Sequence, residues 1–428
     1  MIKTNGISIV FTLTAALTSA AVIAADAERV AVEDAWALVE EPADGYRPGS
    51  FLVQPELAVS GVYDSNIFAT RTDEVDDFIL VFSPDLNVKS EWERHKLDFD
   101  LGGAFGRYLS QHDEDYDDYW ANLDGRYDYT DSSNVFGGLG YSHEHEDRGS
   151  PEDSQSGSEP TTFDSSRAHA GISQGLGKAT LRMGGTYEQL DFADTGLLSN
   201  QDRDRDLIGA GLRLSYALHP QYTVFGQGVW DRREYDQSAD DNGFQRDSDG
   251  YRADAGVQAT ITNRLKGEAY LGYLRQDYDD PRFSSVSAVD FGGSLNWRAS
   301  PRTTLSAELD RSLEETTLAG SSGYLYTSLA GTVRHKFSPR MNINAGVSVA
   351  EADYQVVDRN DDYYTAQLGM RYYITPGYYL GTEYRALIRN SDPQEVNDYT
   401  RHQFFLTLGT LLYPVKPSAY WDMSSNKH

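Results

Sequence analysis

From residue 55 onward the chain alternates apolar and polar residues with a period of two, almost to its end. Period two is the side-chain geometry of a β-strand, whose successive Cβ atoms point to opposite faces. In "YRADAGVQATI", Tyr251, Ala253, Ala255, Val257, Ala259 and Ile261 share one face, and Arg252, Asp254, Gly256, Gln258 and Thr260 share the other. The segments 180–187, 342–349 and 364–373 repeat the pattern. The connections alternate too. Short ones such as "TDSS" (130–133), "LHPQ" (218–221), "ASPR" (299–302) and "TPG" (375–377) carry tight-turn residues. Between them run long acidic ones, among them "SQHDEDYDD" and "HEDRGSPEDSQSGSEPTTFD".

Counting segments from Pro55 to Tyr413 gives about eighteen strands near the ~10-residue length that crosses a bilayer. The fold class read from this is all-β: a transmembrane antiparallel β-barrel with short periplasmic turns and long acidic extracellular loops. A soluble propeller or sandwich is the competing reading. Loop-length alternation and tyrosines at strand ends (Tyr127, Tyr129, Tyr372, Tyr373, Tyr378, Tyr379) favour the barrel. Pro84 is the misfit, because a central strand should not lose a donor, and it reads as a bulge or kink.

The ends divide the chain further. Residues 1–25 carry one Lys, an apolar stretch and small residues at Ala24 and Ala25, which reads as a signal peptide. No later run reaches the ~18 apolar residues of a membrane helix. Residues 26–54 read as a periplasmic lead-in or lumen segment, residues 55–413 as the barrel and residues 414–428 as a polar tail.

A formal net charge of −29 argues against nucleic acid as a partner. Zero cysteines exclude disulfides, thiolate metal sites and Cys nucleophiles. The face opposite the apolar one carries both signs of charge. Asp124, Asp254, Glu268, Glu308 and Glu383 stand with Arg126, Arg182, Arg213, Arg252, Lys266, Arg298, Arg371 and Arg385 as candidate lumen-lining residues. They read either as a solvated wall of cross-strand pairs or as a selectivity lining for a hydrophilic solute.

Catalytic patterns fail. "GISQG" (171–175) matches G-x-S-x-G but precedes a hairpin turn instead of forming a strand-to-helix elbow. Its extension "GISQGLGKAT" lacks the glycine spacing and hydroxyl of a phosphate loop. His143, Glu144 and His145 alternate faces. No catalytic, cofactor or metal residue is expected. "DRDRD" (202–206), "DQSADDNG" (236–243) and "DRNDD" (358–362) offer oxygen ligands but complete no calcium loop.

One stretch carries a family likeness. "GVYDSNIFAT", an acidic linker and "DDFILVFSPDL" resemble the start of the putative β-barrel porin 2 family, Gram-negative outer-membrane barrels associated with exopolysaccharide secretion. The matching residues are Tyr63, Asp64, Asn66, Ile67, Ser83 and Pro84. Tyr63 and Ile67 read as markers of the outer interface. The resemblance implies a non-enzymatic conduit exporting a hydrophilic exopolysaccharide. Its partners would be outer-membrane lipid, the barrel-assembly machinery, a periplasmic polysaccharide-export protein and the polysaccharide itself. Two alternatives keep the barrel: a diffusion porin for small hydrophilic solutes, and a structural or adhesive barrel with a closed lumen.

Overall fold

The computed structural model describes residues 45–153, 159–196, 199–393 and 398–413. The segment read as a signal peptide, residues 26–44 of the expected lead-in and the whole of the expected tail, 414–428, lie outside these. The strands are β1 (Phe51–Asp64), β2 (Asp77–Ser90), β3 (Lys96–Tyr108), β4 (Tyr116–Thr130), β5 (Ser133–His145) and β6 (Thr162–Leu176). They continue as β7 (Ala179–Phe192), β8 (Arg205–His219), β9 (Tyr222–Tyr235), β10 (Ser248–Thr262), β11 (Leu265–Tyr278) and β12 (Val286–Ser300). The last are β13 (Thr303–Glu314), β14 (Tyr324–Ser338), β15 (Met341–Tyr354), β16 (Asn360–Thr375), β17 (Tyr378–Asp392) and β18 (Tyr399–Leu411). The first strand thus opens at Phe51, inside the segment read as a lead-in.

These strands form one 18-stranded antiparallel sheet that closes when β1 pairs with both β2 and β18. The closing seam runs from Glu56↔Leu411 to Asp64↔Gln403. Hairpins at one end turn in two residues, for example between Thr130 and Ser133 and between Ser338 and Met341. A register shift precedes many of these turns, as at Asp128/Thr130, Thr260/Thr262 and Tyr373/Thr375. Such bulges raise local twist, which suits strands that must coil into a barrel. Pro84 causes no shift. The β2–β3 ladder skips from Phe82↔Phe105 to Asp85↔Gly102 in unchanged register, so the expected bulge is a gap of two residues on one side.

The outer surface carries two aromatic levels. Tyr119 and Tyr127 on β4, Tyr222 and Trp230 on β9, and Tyr364 and Tyr372 on β16 are all exposed, each pair eight residues apart. Eight residues span about 26 Å along a strand, or roughly 20 Å along the membrane normal at a tilt of ~40°. Between the levels the outward side chains are apolar, including Leu123, Leu212, Val257, Leu295, Val347 and Leu368. Aromatic rings at two interfaces with aliphatic residues between them match the polarity profile of a bilayer.

Inward side chains pack where they meet. Tyr379 is 1% exposed, donates to Glu56 Oε1 at 2.5 Å and lies over the seam at Gly409. A Cβ on Gly409 would sit 2.0 Å from the Tyr379 ring, whereas one on Gly61 would meet nothing within 4 Å. Gly409→Val is therefore expected to lower the temperature at which the folded barrel converts to the unfolded band on a gel, and Gly61→Ala to leave it unchanged.

Candidate functional site

The site begins where strands end. β5 runs out at His145, and residues 146–153 turn back into the barrel mouth instead of continuing outward. Their contacts are with elements that are not neighbours of β5 or β6 in the sheet. Asp147 Oδ1 accepts from Arg401 Nη1 on β18 at 3.0 Å. Tyr354 on β15 donates to Pro151 O at 3.2 Å, and Thr317 N, between β13 and β14, donates to Glu152 Oε2 at 3.4 Å. On the other side Glu146 pairs with Arg203, just before β8. The loop therefore crosses the lumen. The sequence reading took this acidic connection as extracellular; its described part is a crossbeam in the mouth.

Arg401 is the main fastening. It is 2% exposed, and its Nε and Nη2 donate to Asp64 Oδ2 at 2.7 and 2.6 Å. Asp64 is fully buried and also accepts from Gln403 Nε2 at 2.8 Å and from Asn66 N at 3.0 Å. One guanidinium thus joins β1 to β18 and holds the loop to the seam. A second pair repeats the device: Arg148 Nη2 and Nε donate to Glu114 at 2.6 and 2.9 Å, both residues buried. Gly149 makes the approach possible. Its φ is +86°, and a Cβ there would lie 2.6 Å from the Tyr399 ring and 2.7 Å from Ala69 Cβ.

Burial pushes the Asp147 carboxyl above its ordinary range, against the pull of Arg401. It pushes Asp153 up to about 6, against the N–H of Gly149 and the charge of Arg148. For Arg148, burial opposes the charge, but Glu114 and Asp153 outweigh it and raise the guanidinium.

The residues of the family-like stretch take structural places here. Asn66 donates to Thr70 O and Thr400 O at 2.7 and 3.1 Å, which ties the β1–β2 loop to β18. Tyr63 packs on Phe78 and Phe404 at the outer aromatic level. Ile67 does not mark that interface: it is fully buried against Val62, Ile79, Val81 and Tyr108, because the loop folds its apolar residue inward. Ser83 is buried with its Oγ lacking a hydrogen-bond partner, beside the ladder gap at Pro84.

The candidate lumen residues fall into separate local pairs along the wall. Arg213 grips Glu268 at 2.9 and 3.1 Å and covers the Phe225 ring at 3.5 Å. Arg252 meets Asp290 at 3.0 Å, and Asp254 accepts from Gln227 at 2.9 Å. Arg371 lies over Tyr379 at 4.0 Å and 3.8 Å from Glu56; Arg385 meets Glu383 at 2.8 Å. Arg126 pairs with Asp128, Asp124 with His169, and Arg182 covers Phe136. Lys266, Arg298 and Glu308 occupy β11, β12 and β13, with Lys266 opposite Asn296 and Glu308 opposite Ser294. Sequence reasoning missed the loop fastenings, Arg401, Asp147, Arg148, Glu114 and Arg203. A lone arginine beside glycine in an otherwise acidic loop was the available signal.

The remaining motifs find local roles. Ser173 of "GISQG" is a ladder residue of β6 between Asn134 and Arg182. His143 and His145 each meet a carboxylate on a neighbouring strand, Asp164 and Asp118, at 2.8 Å. In the acidic loops Asp240 is taken by Arg246 and Asp361 by Arg359 and Arg389. Among the described residues no group of three or more acidic or histidine side chains is placed to hold a metal ion.

The family described as Putative beta-barrel porin 2 matches residues 41–410. No curated protein matches the chain. Three solved Pseudomonas aeruginosa structures are similar to it in fold. OpdO is 16% identical, with 84% of this chain and 98% of that chain covered and a TM-score of 0.45. OccK2 (OpdF) is 12% identical, covering 85% and 98%, with a TM-score of 0.46. OprD is 9% identical, covering 87% and 99%, with a TM-score of 0.42. The expectation of exopolysaccharide export is corrected here: the solved structures that share the fold are of the OprD and Occ type. The fastened loop gives the physical reason, since it lies across the path a polymer chain would take.

Removing one partner of a buried ion pair costs about 3–5 kcal/mol, because the other charge stays buried. Arg401→Gln should therefore free residues 146–153. The expected outcome is cleavage in this loop by external protease and a larger single-channel conductance, with the folded gel band retained.

Proposed function

We propose that this chain, which belongs to the Putative beta-barrel porin 2 family, is a non-catalytic diffusion channel passing small hydrophilic solutes across the outer membrane. The observation that carries this reading is the loop fastened across the mouth by Arg401 and Arg148 above a wall of local charge pairs. Eighteen strands enclose a lumen wide enough for water, and a loop inside it narrows the passage to small solutes. A wall whose charges are mostly matched nearby keeps the lumen hydrated without holding a solute tightly, and a channel needs sites weak enough to leave. The closed structural barrel is the second reading, favoured by the number of buried contacts that the loop makes.

Planar-bilayer recording separates the two. Discrete openings, with liposome swelling that slows as solute size grows, are expected; a purified folded barrel with no openings would overturn the channel.

Acidity should tighten the loop. A released Asp153 titrates near the ordinary ~3.9 of an aspartate, while the docked one titrates at about 6. Between those values docking takes up a proton, so the docked loop gains stability as pH falls through about 6 and loses that gain as pH rises through it. Open probability is expected to fall from pH 7 to pH 5. Asp153→Asn should flatten that dependence.

A further inference from the structure

One sector of the wall departs from local pairing. On β11 to β16 the inward positions on the periplasmic side of Glu268 and Glu308 hold Lys266, Arg298, Arg334, Lys336 and Arg371 and no carboxylate. The turns below them add Arg264, Arg302 and Arg340. Arg371 has Glu56 3.8 Å away across the lumen face. Arg334 and Lys336 are exposed on that face, and among the described residues neither makes an ion pair. In a chain of net charge −29 this basic sector is the exception, and its like charges repel one another.

The chain carries the opposite charge beside this mouth. Residues 26–44 hold seven carboxylates and one arginine, a net −6. Their point of attachment is fixed. Tyr46 N donates to Val53 O at 2.9 Å and Val53 N to Tyr46 O at 2.8 Å, on the edge of β1 beyond the end of β18. The next acceptor along that edge, Pro55 O, is taken by Leu412 N at 2.9 Å, so the sheet has no room for more of the segment. Gly45 faces the lumen: a Cβ there would lie 2.4 Å from Leu52 Cδ1 and 3.1 Å from Gln54 Cγ, side chains that share the inward face of β1 with Glu56. The lipid face is closed to a run of carboxylates. The basic sector is within reach. Through β18, β14 stands five strands from β1, about 24 Å around the wall at ~4.8 Å per strand, and a segment of this length spans up to roughly 60 Å.

We propose that residues 26–44 dock on the basic sector of β11 to β16 inside the periplasmic mouth, their carboxylates against Arg334, Lys336 and the neighbouring cations. The segment is an internal counter-charge. It offsets the repulsion along the wall and narrows the inner end of the lumen, as residues 146–153 narrow the outer end. A tether favours this occupant over free anions, because it holds the carboxylates at an effective concentration on the order of millimolar. The inference does not rest on the channel reading, since docking needs only an accessible wall.

Thr304 stands opposite Arg334 in the ladder, so a Thr304→Cys thiol in this cysteine-free chain reports whether the sector is covered. The probe is N-ethylmaleimide, which is uncharged, on the purified folded barrel. In 0.1 M KCl the thiol is expected to react several-fold more slowly in the chain that keeps residues 26–44 than in a variant lacking them. A synthetic 26–44 peptide should return the shortened variant to slow reaction. At 1 M KCl the Debye length falls from about 10 Å to about 3 Å, and the two rates should converge. Arg334→Gln/Lys336→Gln should bring them together at low salt. If the shortened chain does not fold, the salt response of the intact chain carries the same test. Equal rates at 0.1 M overturn the docking, and so does a difference that neither salt nor the charge variant reduces. Bilayer recording on the same proteins keeps the two readings apart: no openings in either overturns the channel, while the labelling ratio still decides the docking.

Discussion

A sheet in hydrocarbon cannot keep an edge, because every unpaired N–H and C=O there costs several kcal/mol. The whole molecule follows from that constraint. It requires β1 to find β18 across the length of the chain, and the seam from Glu56↔Leu411 to Asp64↔Gln403 is the result. Closure in turn creates an inside, and the period-two pattern assigns half of every strand to it.

The seam and the loop across the mouth share parts. Asp64 ends β1, Arg401 sits near the start of β18, and their buried pair lies where the strands close. The same guanidinium reaches Asp147, so the residue at the seam also places the loop. Barrel closure and loop placement are thus coupled through one cation. The loop's far contacts fall on the opposite wall, with Tyr354 of β15 and with Thr317 between β13 and β14.

Much of this was legible in the sequence. Tyr251 to Ile261 and Ile343 to Val349 announce strands because one face must meet lipid, and each two-residue hairpin announces itself through turn chemistry. The sites were less legible. Arg401 looks like any other inward residue of an alternating strand, and its partner Asp147 lies 254 positions away in a loop that looks solvated. Acidic loops read as surface because nothing local tells a carboxylate facing water from one facing a distant arginine. Ile67 was misplaced for the related reason that a loop's apolar residue can face inward as well as outward. The family likeness named the fold well and the transported material badly, since a barrel's wall records its lipid more clearly than its cargo.

The central claim is that residues 146–153 lie across the lumen against the β1–β18 side. The chain has no cysteine, so one can be introduced cleanly. Ser150→Cys places a thiol within the loop, at a position whose side-chain oxygen is buried. In intact outer membranes the account predicts that a membrane-impermeant maleimide labels this thiol slowly, and several-fold faster when Arg401→Gln is added. Fast labelling in both backgrounds would place the loop away from the seam and contradict the account.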